Sequence, residues 1–208
     1  MAECTFYTNP MSRGQIVRWA LHEAGADYEQ RLVDWQDKAE LLAVNPMGKV
    51  PTLVHHHAGH DHVVTEAAAI CHYLAEMVAP DLLPQAHEKA DYFRWLFFAA
   101  GPLEQAVVAR TMGWEVAPER EGMAGFGNYD RTIDALDGWL SERDYVCGAR
   151  FTMADVYVGS AVDWGLQFGT MPSRPSFERY ADRMRARDAY KAGKAVDNAL
   201  ITEAQANA

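Results

Sequence analysis

Basic residues are scarce in this chain. It carries 19 Lys and Arg against 29 Asp and Glu, a formal net charge of −10 with His neutral. A nucleic-acid-binding face needs clustered cations, so that class is excluded, and so is adhesion to an anionic membrane surface. A small anionic ligand stays compatible, because a local field can oppose the net charge. Cysteine is also scarce. Cys4, Cys71 and Cys147 are odd in number and far apart, which excludes a disulfide framework and points to a reducing compartment. No Cys-x-x-Cys pair occurs, so thiol–disulfide exchange is not expected. No apolar run approaches the length of a membrane span. The opening Met1-Ala2-Glu3-Cys4 has neither a basic nor an apolar leader region, and a cytoplasmic location is expected.

Large apolar side chains are plentiful: six Trp, nine Tyr and eight Phe give the chain enough area for a real core. Residues 3–7 read as a strand. A loop follows, Asn9-Pro10-Met11-Ser12-Arg13-Gly14, and then a helix with Ile16, Val17, Ala20, Leu21 and Ala24 on one face, stopped by Gly25. Tyr28 to Val33 read as a second strand and 37–44 as a short helix. Thr52 to His55 and His62 to Val64 read as a hairpin turning at 58–61. A helix opening near Glu66 buries Ala67, Ile70, Cys71 and Leu74. The order is β-α-β-α-β-β-α.

Beyond Pro80 and Pro84 only helical spacing remains. The stripes are Phe93, Leu96, Phe97 and Ala100; Ile133, Leu136 and Leu140; Val158, Ala161 and Val162; and Phe177, Tyr180 and Met184. The change of class predicts an α/β domain over 1–79, a linker over 80–86 and an all-helical domain over 87–208. The Ala-rich end, Ala204 to Ala208, is expected to fray.

Two segments carry ligand chemistry. In Asn45-Pro46-Met47-Gly48-Lys49-Val50-Pro51-Thr52-Leu53, Pro51 stands immediately before an apolar strand and cannot donate to its ladder. The segment is either a plain turn or a cis Val50–Pro51 bond that turns the Val50 backbone outward to pair with an extended peptide. At Thr65-Glu66-Ala67-Ala68-Ala69-Ile70 a helix start can hold an α-carboxylate, with the Glu66 carboxylate near an ammonium, or the same residues simply cap the helix.

These segments, about fifteen residues apart, resemble the glutathione-binding half of the cytosolic glutathione transferases, of the bacterial serine-type or theta-like kind. The Asn9 to Arg18 stretch resembles the same half. Gly148-Ala149-Arg150-Phe151-Thr152-Met153-Ala154-Asp155 resembles the buried capping box that opens a core helix of the family's second domain. The resemblance covers about residues 3–190. It implies a thioredoxin-like N-terminal domain, an all-α C-terminal domain holding a hydrophobic electrophile, glutathione as co-substrate and a homodimer. One departure stands out: the family places a Ser after the Glu or Gln at the helix start, and this chain has Ala67. The missing hydroxyl costs roughly 1–2 kcal/mol of ligand hydrogen bonding.

The resemblance further implies that Val50, Pro51, Glu66 and Ala67 hold glutathione, with Lys38 or Lys49 near its glycyl carboxylate. Three residues compete to stabilise the thiolate: Ser12 before the first helix, Tyr7 at the end of the first strand, and Asn9 in the same loop. Gly101-Pro102 should kink a long helix. Leu103, Ala106, Arg110, Met112 and Trp114 beyond it line the electrophile pocket or form interhelical core. Asp155 reads as structural. Five histidines, His55, His56, His57, His60 and His62, read as a solvated hairpin, and no metal cofactor is expected. The same fold also admits a non-catalytic binding protein, or a glutathione-dependent isomerase, dehalogenase or peroxidase.

Overall fold

A computed structural model describes residues 2–206. They form two compact units. One comprises residues up to Leu83 together with those from Ala186 on, and the other runs from Pro84 to Arg185. The C-terminal helix thus groups with the first unit, where the sequence pattern sets it among the helices of 87–208.

In the first unit a four-stranded sheet has the order β2-β1-β3-β4. β1 (Cys4–Thr8) pairs parallel with β2 (Tyr28–Leu32) and antiparallel with β3 (Thr52–His57), which pairs antiparallel with β4 (His60–Thr65). Strand alternation sends Cys4, Phe6 and Thr8 into the interior and leaves Thr5 and Tyr7 half-buried on the other face. α1 (Gly14–Ala24) buries Ile16, Val17, Ala20 and Leu21 and ends at Gly25, whose φ of 64° suits glycine. α2 (Ala39–Val44) is short, and α3 (Ala67–Met77) buries Ile70, Cys71 and Leu74. The hairpin is longer and tighter than its turn residues suggest. Ala58 and Gly59 both take left-handed φ, 52° and 79°, so they form a two-residue turn and His57 faces His60 directly.

The last helix of the chain, spanning Asp188–Ala206, packs along α1. The indole of Trp19 meets Tyr190 edge-on at 5.1 Å, and Glu23 binds Arg187 through two hydrogen bonds of 2.5 and 2.8 Å. A Cβ on Gly193 would lie 3.4 Å from the Trp19 backbone, so glycine permits the close approach. Below this contact lies a fully buried ion pair, Arg18 Nε to Asp197 at 2.8 Å, with the guanidinium also 5.4 Å from the Phe6 ring centre and donating to Tyr28 Oη at 3.1 Å. Helix continues to Ala206 where fraying was expected; Asn207 and Ala208 lie outside the described residues.

The second unit contains α4 (Lys89–Phe98), α5 (Glu104–Thr111), α6 (Tyr129–Ser141), α7 (Met153–Gln167) and α8 (Pro175–Arg185); the helix after it is α9. Gly101 and Pro102 fall in a π-helical turn, Ala99–Leu103, joining α4 to α5. The wider turn accommodates a proline that lacks an N–H and would collide with the carbonyl four residues back. On α4 the buried residues are Tyr92, Trp95 and Leu96, followed by Ala99, while Phe93 and Phe97 are exposed. The expected stripe of Phe93, Leu96, Phe97 and Ala100 was therefore out of phase. Aromatics occupy both faces of this helix, so apolar spacing alone does not select the inward one.

Candidate functional site

The register of the sheet assembles the site. Tyr7 of β1 faces Thr52 of β3, and Thr52 faces Thr65 of β4. These three residues form one row across three strands. Directly beyond it the chain enters the Asn9–Gly14 loop, arrives from Val50–Pro51, and leaves into Glu66–Ala67. Three segments distant in sequence therefore meet at one end of the sheet. β2, parallel to β1, finishes at the same end, where Asn9 Nδ2 donates to the Val33 carbonyl at 3.0 Å.

Each segment is held by local bonds. Ser12 Oγ donates to the Asn9 carbonyl at 2.6 Å and accepts from the Gly14 N–H at 3.0 Å, bracing the first turn of α1. A Cβ on Gly14 would fall 2.0 Å from Thr8 Oγ1, so only glycine lets the helix start this close to the end of β1. Asn9 Oδ1 accepts from Met11 N–H, so both ends of that amide are engaged. Tyr7, half-buried, lines a cavity of about 290 Å³ between β2 and α2 with Val33, Lys38 and Leu41. Lys49 is exposed.

The Val50–Pro51 peptide is cis, and Val50 precedes the ladder, which begins at Thr52. What fixes this loop is Asn45, which in the sequence looks like no more than part of a turn. Buried at 5% exposure, it donates from Nδ2 to the Lys49 carbonyl and to Thr52 Oγ1, both at 3.0 Å, and accepts from Met47 N–H at 3.1 Å. The available signal was its place before Pro46 and Gly48, where an Asn side chain closes a turn on the backbone.

Glu66 has φ 64° and ψ 116°, a left-handed conformation unusual for a residue with a side chain. It is exposed and immediately precedes α3, whose first residue is Ala67. Strained, exposed backbone of this kind gathers where a ligand is held. The first N–H groups of α3 have no partner within the helix and carry partial positive charge, which suits a carboxylate.

The chain matches two family models in succession: the glutathione S-transferase N-terminal domain over residues 2–76 and the glutathione S-transferase C-terminal domain over residues 100–188. Its relatives include glutathione S-transferase 2 of Schizosaccharomyces pombe, 31% identical over 163 residues, or 72% of this chain and 68% of the relative. The chain belongs to the glutathione S-transferase family. A second S. pombe relative, glutathione S-transferase 1, is 34% identical over 70% of this chain and 66% of its own length, so the match spans about two thirds of it. Among solved structures, a glutathione transferase of Methylococcus capsulatus superposes with a TM-score of 0.75 at 26% identity, covering 94% of this chain and 98% of that one. A theta-class enzyme of Xanthomonas axonopodis pv. citri, solved with glutathione bound, gives 0.71 at 28% identity, covering 93% and 97%.

The cysteines of this chain are held in their thiol form. Burial, with Glu3 and Asp27 nearby, pushes the Cys4 thiol up to about 11, and burial pushes Cys147 up to about 12 and Cys71 higher still. In the helical unit Leu103 and Ala106 are buried at 1% and 0% exposure, as the interhelical-core alternative has it. Arg110 stacks on the Tyr129 ring, 4.1 Å from its centre. Met112 and Trp114 are exposed.

Thr152 and Asp155 form the expected capping box at the start of α7. The Asp155 carboxylate accepts from Thr152 N–H, Thr152 Oγ1, Val146 N–H and Tyr180 Oη at 2.8–3.0 Å. One buried side chain thus ties the loop before α7 to α8. Burial pushes its carboxyl up to about 6 against those four bonds. Among the described residues no helix is long and apolar enough to cross a membrane.

Proposed function

We propose that this protein conjugates the thiolate of glutathione to a small apolar electrophile. The observation that carries the proposal is the Tyr7–Thr52–Thr65 row, which gathers the Ser12 loop, the Val50 backbone and the Glu66–Ala67 helix start at one end of the sheet. Glutathione would lie extended there. The Val50 backbone pairs with its cysteinyl amide groups, the α3 N-terminus takes the γ-glutamyl carboxylate, and Glu66 faces the ammonium. Lys38, or the exposed Lys49, neutralises the glycyl carboxylate. Ser12 donates to the sulfur and favours its ionised form.

For Ser12 to act, its hydroxyl must turn from the Asn9 carbonyl to the sulfur, exchanging one hydrogen bond for a charge-assisted one. That existing bond is also the observation favouring a second reading, a protein on this fold that binds glutathione without activating it. Retention on immobilised glutathione, followed by a conjugation assay with an activated aryl halide, separates the two. Retention with turnover is expected. Retention without turnover supports the second reading, and failure of retention removes both. A homodimer is part of the proposal and is supported by the exposed Phe93 and Phe97 rings of α4, 6.4 Å apart and stacked. Sedimentation of a Phe97→Glu variant as a dimer would remove that support.

A further inference from the structure

We propose that the β3–β4 hairpin carries a transition-metal site, in which His55, His57 and His62 hold one divalent ion such as Zn²⁺ or Ni²⁺, with His60 beside them. The site lies at the opposite end of these strands from Val50–Pro51 and Glu66–Ala67, and the proposal does not depend on glutathione binding.

The register makes the case. His55 faces His62 and His57 faces His60 across the hairpin, and residues two apart on a strand share a face. Four imidazoles therefore stand on one face of two adjacent strands. His56 is sent to the other face, where its Nδ1 meets Asp61 at 2.7 Å and its Nε2 meets Thr5 Oγ1 at 2.9 Å. The tight Ala58–Gly59 turn fixes this pairing, so the cluster sits on ordered strands and not on a loop tip.

His55 already has the surroundings of a ligand. It is buried at 4% exposure, and its Nδ1 lies 3.0 Å from Tyr73 Oη on α3. Histidines that bind metals almost always donate their other ring N–H to such an outer partner, which sets the tautomer and aims the free nitrogen. With Nδ1–H donating to Tyr73, Nε2 is the lone-pair nitrogen. The His55 and His57 ring centres are 5.2 Å apart. The two rings are stacked, 29° between their planes, so both donors already lie close together on the same face. As the rings stand, no three such donors among the described residues converge on one point. His57, His60 and His62 are exposed, which leaves their side chains room to rotate toward one ion. Imidazole-only ligation suits Zn²⁺, Ni²⁺ and Cu²⁺ and disfavours Mg²⁺ and Ca²⁺.

The test is a titration of the untagged chain with Zn²⁺ alone, without glutathione, against a chromophoric chelator. One ion per chain is expected. H57Q and H62Q, both at exposed positions, should each weaken binding by at least about tenfold, and Y73F by about tenfold through the lost outer bond. H56Q, on the opposite face, should stay within about twofold of the parent. Equal losses in H56Q, H57Q and H62Q would mean diffuse surface binding and overturn the proposal. So would no detectable Zn²⁺ binding, or an affinity unchanged in H57Q and H62Q. Retention on immobilised glutathione should be the same in all four variants, so this site and the glutathione site can fail separately.

Discussion

Ala67 occupies the position where a hydroxyl would complete a carboxylate cradle, and its backbone N–H opens α3 directly after the strained Glu66. A Ser side chain there adds one hydrogen bond to an ionised group, about 1.5 kcal/mol. Ala67→Ser should therefore tighten glutathione binding roughly tenfold, as read by calorimetry. An unchanged affinity would mean that the α-carboxylate does not sit at this helix start. The neighbouring Asn45 shows why residue-scale reading stops where it does. Val50, Pro51 and Glu66 stand out in the sequence because their order and spacing resemble a family. Asn45 holds its loop through three bonds to the chain between Met47 and Thr52, and neither periodicity nor composition reports side-chain bonds of that kind. The φ of Glu66 was equally illegible, since its sequence neighbours read as an ordinary cap.

At the scale of elements, order and type were legible nearly throughout, because each strand and helix carries its own period and stop signal. Phase was not. On α4 the inward face differs from the expected one because aromatic residues line both sides, and packing within the helical unit chose between them. The capping box of α7 was legible from Thr-x-x-Asp alone, but the reach of Asp155 to Val146 and Tyr180 was not. That reach sets the expected energetics. Thr152→Ala should cost about 1–2 kcal/mol, as for a lost cap. Asp155→Ala strands several buried donors and should cost at least about 3 kcal/mol by denaturant unfolding, with activity per folded molecule retained. A stable Asp155→Ala protein without activity would reverse the structural assignment.

Glu88, immediately before α4, gives the pH dependence. Burial raises its carboxyl, but hydrogen bonds from Arg150 and the Gln85 N–H, together with the Arg150 charge, outweigh it and hold the group below the usual range. A depressed folded value stabilises the native state above the ordinary carboxylate pKa, and that contribution is lost as pH falls through the folded value. Denaturant midpoints measured down the acid range should fall less steeply for Glu88→Gln than for the parent. Parallel curves would show that this pair does not contribute.

At the scale of the whole molecule, the sequence places α9 with the helices that precede it, whereas the fold returns it to the α/β unit. The signal was divided between Arg18 and Asp197, 179 residues apart, and no local pattern links them. Both groups are fully buried, so removing one leaves the other charged and unpaired. Asp197→Ala should cost about 3–5 kcal/mol of stability. Asp197→Leu with Arg18→Leu should recover much of that loss, and failure of the double variant to do so would argue that packing around α9, not the ion pair, is what matters.

The central claim is that this unit binds glutathione and ionises its thiol with Ser12. The measurement that reaches it most directly is the ultraviolet absorbance of the bound thiolate, followed against pH for the parent, Ser12→Ala and Tyr7→Phe. A free thiol titrates near 8.5, and one hydroxyl donor beside a helix start should lower that by roughly one to two units. The account predicts that depression in the parent and in Tyr7→Phe, and its loss in Ser12→Ala with glutathione still bound. A depression that survives Ser12→Ala and disappears in Tyr7→Phe, or a bound thiol that titrates like the free one in the parent, would contradict it.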